Sequence, residues 1–299
     1  MEILQTRSLT KRYGDFTALN GVSLTLRRGD IYGLVGRNGA GKTTFFKCVM
    51  GLAKPSGGKI EICGESADPG RARKQIGFMT SPAFFPYLTP KANLEYLRRV
   101  KGVAAADETD RLLKLVGLDG ADKPAGTFSM GMKQRLGIAG ALLGSPPIVA
   151  LDEPINGLDP QGIADIRAVV RDARDRRGVT FIISSHILSE LDLIATRFGF
   201  IESGELLGEI SREELHERAQ RSLLVEVDDA AKARSVLQIA LGAAVEEAGG
   251  RRLTLLSHLD EPNAVVRALV NGGVDVYEIR RRETTLEEYF MKLVGGADD

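Results

Sequence analysis

Alternating apolar and polar positions predict strands at Glu2 to Ser8 and Val22 to Arg27, and an unbroken apolar run from Ile31 to Val35 predicts a buried one. A glycine-rich turn follows, and Lys42 to Gly51 reads as a helix. Thr89 followed by Pro90 supplies an N-cap and a first-turn proline for a helix through Leu94, Tyr96 and Leu97. With a second helical stretch at Thr109 to Val116, residues 82–145 read as a mostly helical subdomain.

From Ser145 strand and helix alternate again: a strand at Ile148 to Leu151, a helix opened by Asp159 and Pro160 and closed near Gly178, and a strand at Val179 to Ile183. Strand, crossover helix and strand imply parallel pairing. Ser211 and Glu214 form a capping box for a short helix, and the boundary is placed near Arg221, giving domains at 1–221 and 222–299. The second reads as a strand at Leu223 to Val227, a helix at Ala230 to Ala240, a hairpin about Gly249 and Gly250, a helix at Asn263 to Val270 and a strand at Val274 to Ile279. That βαββαβ order predicts a small ferredoxin-like α+β domain, with a last helix from Thr285.

The 299 residues are 43% hydrophobic and 27% charged, which excludes a mainly disordered chain. Forty Lys and Arg balance forty Asp and Glu, so no net field favours nucleic acid or an anionic membrane. The basic groups Arg71, Arg73 and Lys74, and Arg280 to Arg282, lack interleaved stacking aromatics and read as solvated faces; no nucleic-acid partner is expected. Cys48 and Cys63 have no C-x-x-C spacing on which to build a disulfide framework or a zinc site. The N-terminus has no signal-peptide profile and no eighteen apolar residues run together, so no membrane span is expected.

Gly36, Arg37, Asn38, Gly39, Ala40, Gly41, Lys42 and Thr43 match G-x-x-x-x-G-K-[ST] between a predicted strand and helix. A chance match has a probability on the order of two per cent before context. Glycines let the backbone N–H groups turn inward, and the helix N-terminus adds partial positive charge, so the loop forms an anion nest. Lys42 is expected on the β and γ phosphates of ATP, Thr43 on Mg²⁺ and Thr44 on the α or β phosphate.

The apolar strand at Ile148 to Leu151 ends in Asp152 and Glu153, where two carboxylates leave a buried element. Asp152 suits the outer shell of the metal, and Glu153 suits the general base that polarises water. Upstream, Ser129 and Gly131 in Phe128 to Gln134 open another helix and offer a second anion site; an ordinary N-cap is the alternative.

Taken together, GRNGAGKTT, FSMGMKQR, IVALDEPINGLDP and SSH resemble the ATP-binding cassette (ABC) ATPases from Met1 to Arg221, and TLEEYFMKLVGG looks like the C-terminal extension of export-type members. The resemblance implies an α/β P-loop NTPase with a mixed sheet core, and an ATPase that uses ATP and Mg²⁺. It implies that Tyr13 in KRYGDFTAL stacks on adenine, and that His186 hydrogen-bonds the γ-phosphate and helps position water. Ser129, Met130 and Gly131 would meet ATP held by the opposite subunit of a homo- or heterodimer, with Asp159 at the interface. A separate integral membrane permease would complete an exporter and hold this subunit on the cytoplasmic face of the membrane. A soluble mechanical switch is the alternative; a P-loop GTPase would need an N-K-x-D motif, which is missing.

Two departures stand out. The family's glutamine after a strand like Ile76 to Met79 is replaced by Thr80 or Ser81, making Ser81 the candidate metal contact there, with a hydroxyl too short to act as an amide. Met130 and Met132 occupy positions where glycine and glutamine are frequent. The aromatic cluster Phe84, Phe85, Tyr87 fits either internal packing or reception of the permease. His216 and His258 receive no role.

Overall fold

The computed structural model describes residues 1–299 except 68–69, 71–73, 219–221, 248, 283–285 and 296–299, so Arg71, Arg73, Arg221 and Thr285 lie outside the described residues. Two compact units are present, 1–213 with 292–299, and 214–291.

The first unit begins with strands β1 (Glu2–Tyr13), β2 (Phe16–Val22), β3 (Thr25–Arg27) and β4 (Ile31–Val35), then helix α1 (Lys42–Val49). Strands β5 (Gly57–Ile62), β6 (Glu65–Ser66) and β7 (Ile76–Met79) lead to helices α2 (Pro90–Val100), α3 (Glu108–Leu115) and α4 (Met130–Leu142). Next come β8 (Ile148–Asp152), α5 (Pro160–Arg177), β9 (Thr180–Ser185), α6 (Leu188–Asp192), β10 (Arg197–Glu202) and β11 (Glu205–Ser211); α7 (Arg212–Arg218) follows.

Strands β1, β2, β3, β5 and β6 make an antiparallel sheet, and the larger sheet has the order β11-β10-β4-β9-β8-β7. Within the latter all pairings are parallel except β10 with β11. Every residue of β4, β8 and β9 is buried, the pattern of parallel strands covered on both faces. Their register sets Val35 beside Ser185 and Asp152 beside Ser184, so the chain leaves all three strands at one edge. Gly36, Glu153 and His186 are the first residues past that edge, where α/β sheets hold their ligands. Helix α1 is anchored behind the loop by buried Phe45, Phe46, Cys48 and Val49.

Two strand expectations are corrected. β1 runs on to Tyr13 rather than stopping at Ser8, with register shifts between Leu9 and Arg12 that break the alternation. The strand expected at Val22 to Arg27 is divided, because β2 ends at Val22 and β3 begins at Thr25 to pair with another part of β1. β5 and the β10–β11 hairpin are additional elements.

The second unit contains β12 (Ser222–Val227), α8 (Ala230–Leu241), β13 (Val245–Glu247), β14 (Arg252–Leu255), α9 (Pro262–Asn271) and β15 (Val276–Arg282). Its antiparallel sheet has the order β13-β14-β12-β15, so the strand after α8 lies two places from the one before it. Leu223, Val225, Leu253, Leu255, Val265 and Leu269 form its own core. A last helix, α10, spans Leu286–Gly295. No helix among the described residues is long and apolar enough to cross a membrane.

Candidate functional site

The turn after β4 is forced into shape by close backbone neighbours. A Cβ at Gly36 would collide with the Ile201 carbonyl oxygen, and one at Gly41 would lie 2.8 Å from the Ala18 carbonyl oxygen, with Gly41 also at φ 108°. Asn38 and Gly39 are exposed at the tip, and Ala40 is buried beneath them. Gly41 is the N-cap of α1 and has no side-chain cap. The N–H groups of the first turn, those of Lys42, Thr43 and Thr44, thus lack a side-chain acceptor at the positive end of the helix, a ready anion site.

Lys42 is 6% exposed, and its Nζ donates to Gly36 O at 2.5 Å and Arg37 O at 3.2 Å. The same ammonium lies 3.2 Å from Glu153 Oε1. That oxygen is buried and has no hydrogen bond of good geometry, so the contact is one of charge rather than a directed bond. The Thr43 hydroxyl donates to Asp152 Oδ2 at 2.8 Å, and Ser184 Oγ donates to Asp152 Oδ1 at 2.5 Å. Ser184 Oγ also accepts the Glu153 N–H at 2.9 Å. Glu153 has φ 52°, the left-handed region that costs a non-glycine residue of order 1–3 kcal/mol. Its Oε2 meets His186 Nδ1 at 2.8 Å.

Loop, base-like carboxylate and histidine thus converge although they are remote in sequence. A hydroxyl beside a carboxylate suits Mg²⁺, which takes few protein ligands and draws its other oxygens from phosphate and water. No group of three or more His, Cys, Asp or Glu that could hold a metal occurs among the described residues. The residues present fit MgATP.

Other candidates sit elsewhere. Tyr13 is 47% exposed at the tip of the β1–β2 hairpin, opposite Phe16, with Lys11 Nζ 4.6 Å from its ring centroid. Ser129 caps α4 by accepting the Met132 N–H at 3.3 Å; Met130 is exposed, and a Cβ at Gly131 would lie 3.7 Å from Gly162 Cα. Asp159 caps α5, accepting the Gly162 N–H at 3.0 Å. Among the described residues no hydrogen bond or ion pair joins Tyr13, Ser129, Met130, Gly131 or Asp159 to the loop. Ser81 is exposed and lines a cavity of about 340 Å³ with Phe78, Phe85, Tyr96 and Leu97; no hydrogen bond ties it to Thr43 or Asp152.

Ser184 has no place among the expected site residues. The signal was a hydroxyl near the end of the apolar run of β9, where a fully buried polar group needs a partner.

A family model for the ABC transporter matches residues 19–156. The bacitracin transport ATP-binding protein BcrA of Bacillus licheniformis is 39% identical over 301 residues, covering 98% of this chain and 98% of that protein. The chain belongs to the ABC transporter ATP-binding proteins. The lantibiotic transport ATP-binding protein SrtF of Streptococcus pyogenes is 39% identical over 206 residues, covering 69% of this chain and 89% of that protein. Among solved structures, cbiO1 from Clostridium perfringens, part of the transporter complex cbiONQ, is similar at TM-score 0.66 and 27% identity, over 81% of this chain and 96% of that one. The ATP-binding cassette MJ0796, a dimer bound to ADP and Pi, is similar at TM-score 0.63 and 25% identity, over 70% and 99%. The ABC ATPase described here accordingly binds ATP, uses Mg²⁺ and hydrolyses the nucleotide as the energy-supplying subunit of a transporter.

Proposed function

We propose that this subunit drives export of an antibiotic through a separate permease, from the cytoplasmic face of the membrane. The observation that carries the reading is likeness to a bacitracin transport protein over 98% of both chains, so that it includes the second unit as well as the cassette. We assign ATP hydrolysis to residues 1–213 and an accessory role to the second unit.

Within the cassette, Gly36, Asn38, Gly39, Ala40, Gly41, Lys42, Thr43 and Thr44 bind the phosphates and Tyr13 the adenine. Thr43 and Asp152 would hold Mg²⁺, which would supply charge neutralisation for the phosphates when bound. Glu153 accepts a proton from the attacking water, and His186, 2.8 Å from its carboxylate, fixes the orientation of that carboxylate. Ser81 is an accessory contact at most one hydroxyl long. Ser129, Met130, Gly131 and Asp159 serve the nucleotide of a second cassette, since within one chain they do not meet the loop. The second cassette is a copy of this chain: one sequence carries both halves of the composite site, so a two-fold dimer completes two of them.

The permease docks at the cavity beside Ser81. Phe85 packs edge-on against Tyr96 at 4.9 Å, while Tyr87 and Tyr96 are 71% and 52% exposed, which favours reception of a partner over internal packing. Affinity purification of the Glu153→Gln chain from gently solubilised membranes tests the proposal. Stoichiometric recovery of a polytopic membrane protein, lost with Tyr87→Glu, supports it; recovery of soluble partners alone overturns it in favour of a mechanical switch.

A further inference from the structure

Away from the nucleotide loop, α3 and α5 converge on a cleft of about 390 Å³ lined by Arg111, Lys114, Leu115, Asp172, Arg176 and Arg177. Arg111 is held by Asp107 at 2.6 Å and Arg176 by Asp172 at 2.6 Å. These two pairs are neutral, so the four cations and two carboxylates leave a charge of two positive units on Lys114 and Arg177. Arg177 Nη1 is buried and has no hydrogen-bond partner among the described residues. Such a donor forfeits its hydration without return, and native folds keep few of them.

Complementing the helix ends does not account for this arrangement. Cations in a last turn are ordinary there, and Lys114, Arg176 and Arg177 occupy the last turns of α3 and α5; what helix ends alone leave unexplained is the buried Arg177 Nη1 with no hydrogen-bond partner among the described residues. The charge of two helices is instead focused on one opening, and an ammonium next to a guanidinium fork is the donor set that recognises phosphate oxygens. A phosphate dianion balances the two unpaired charges, whereas a single carboxylate would leave one uncompensated. The cleft is larger than one phosphate and lies in the range of small-molecule sites.

We infer that this cleft binds a phosphate-bearing ligand, distinct from the nucleotide held at Gly36 to Thr43. It would bridge the helical segment carrying α3 to α5, whose N-terminus carries Asp159, and so tie the two parts of the cassette together. A soluble phosphoryl compound and a lipid headgroup share this chemistry.

The test uses the full chain with Lys42→Ala, which weakens the nucleotide loop, and titrates inorganic pyrophosphate by calorimetry at low salt. Saturable binding is expected, at least tenfold weaker once Lys114→Gln or Arg177→Gln is added. Should Arg177→Gln not fold, the exposed Lys114 carries the test alone. Sedimentation with phosphatidylglycerol vesicles that is lost in Lys114→Gln identifies the headgroup as the source, and pyrophosphate binding without sedimentation identifies a soluble ligand. Absence of saturable binding to the Lys42→Ala chain, or binding that neither cleft substitution weakens, overturns the inference.

Discussion

Replacing Ser184 with alanine removes one oxygen that serves both carboxylate residues of the site. Asp152 loses the donor on Oδ1, 2.5 Å away, and keeps Thr43 on Oδ2. The Glu153 N–H loses Ser184 Oγ but retains the Ser184 carbonyl at 3.2 Å, so its contribution to the loss is small. Ser184 is 0% exposed, and water has little access to replace the hydroxyl. A hydrogen bond to a charged group contributes roughly 1.5–3 kcal/mol, so a loss of about 2 kcal/mol is expected. At about 2–4 °C per kcal/mol this lowers the melting temperature of the first unit by about 4–8 °C. Activity should fall further than stability, because a loosened Asp152 misplaces the pair proposed to hold Mg²⁺, and positional errors near 1 Å cost on the order of a hundredfold. Urea denaturation followed by circular dichroism, with phosphate release from ATP, reads both effects. Ser185→Ala is the control: its hydroxyl accepts the Ile187 N–H at 2.9 Å and donates to the Ile187 carbonyl at 3.4 Å, outside the carboxylate pair. Stability within about 0.5 kcal/mol of the parent together with unchanged turnover in Ser184→Ala would refute the reasoning.

Glu153→Gln keeps the shape of the side chain and removes the proton acceptor; turnover should drop by about 10²–10⁴ while nucleotide binding persists, and single-turnover hydrolysis at an undiminished rate would exclude Glu153 as the base. In Tyr13→Ala, affinity for ATP should fall about tenfold through loss of stacking, with Tyr13→Phe near the parent; equal affinity in all three, measured with a fluorescent nucleotide, would remove Tyr13 from the adenine site. The Arg98 and Arg99 guanidinium groups hydrogen-bonded to Glu95 hold its carboxyl down to about 2, against an ordinary 4.5. The folded value is the lower one, so this support is complete above about pH 4.5 and is lost as the pH falls towards 2. Glu95→Gln should flatten the acid limb of the stability curve, and a Glu95 midpoint near 4.5 by NMR titration would contradict the pairing.

The phosphate loop could be read from eight consecutive residues because its function is backbone geometry, which glycines and a following lysine declare locally. The βα alternation about Asp152 was equally legible, since strands buried on both faces leave continuous apolar runs. β1 beyond Ser8 was not: the bulges between Leu9 and Arg12 destroy the two-residue period on which the reading depends. Ser184 escaped because its partner is 32 residues away, and only the register of β8 against β9 sets them side by side. The adenine role of Tyr13 and the dimer roles of Ser129 and Asp159 came from family likeness, and one chain alone does not bring them to the loop; as helix openers Ser129 and Asp159 were legible from the residues themselves, and both are N-caps. The positive φ of Glu153 has no sequence signature, as any residue but glycine would be unexpected there.

Lys42 has a consequence for how the enzyme lets go. Its ammonium already has two carbonyls and a carboxylate around it. With Lys42 in its proposed role, an arriving phosphate competes for the lysine instead of finding it unengaged, and only the difference between two sets of partners appears as affinity. On that reading the same carbonyls and carboxylate take the ammonium back when the γ-phosphate departs, which offsets part of the energy lost on release. A cassette that must reset after every stroke gains from that reversibility, because grip and surrender are then two settings of one side chain.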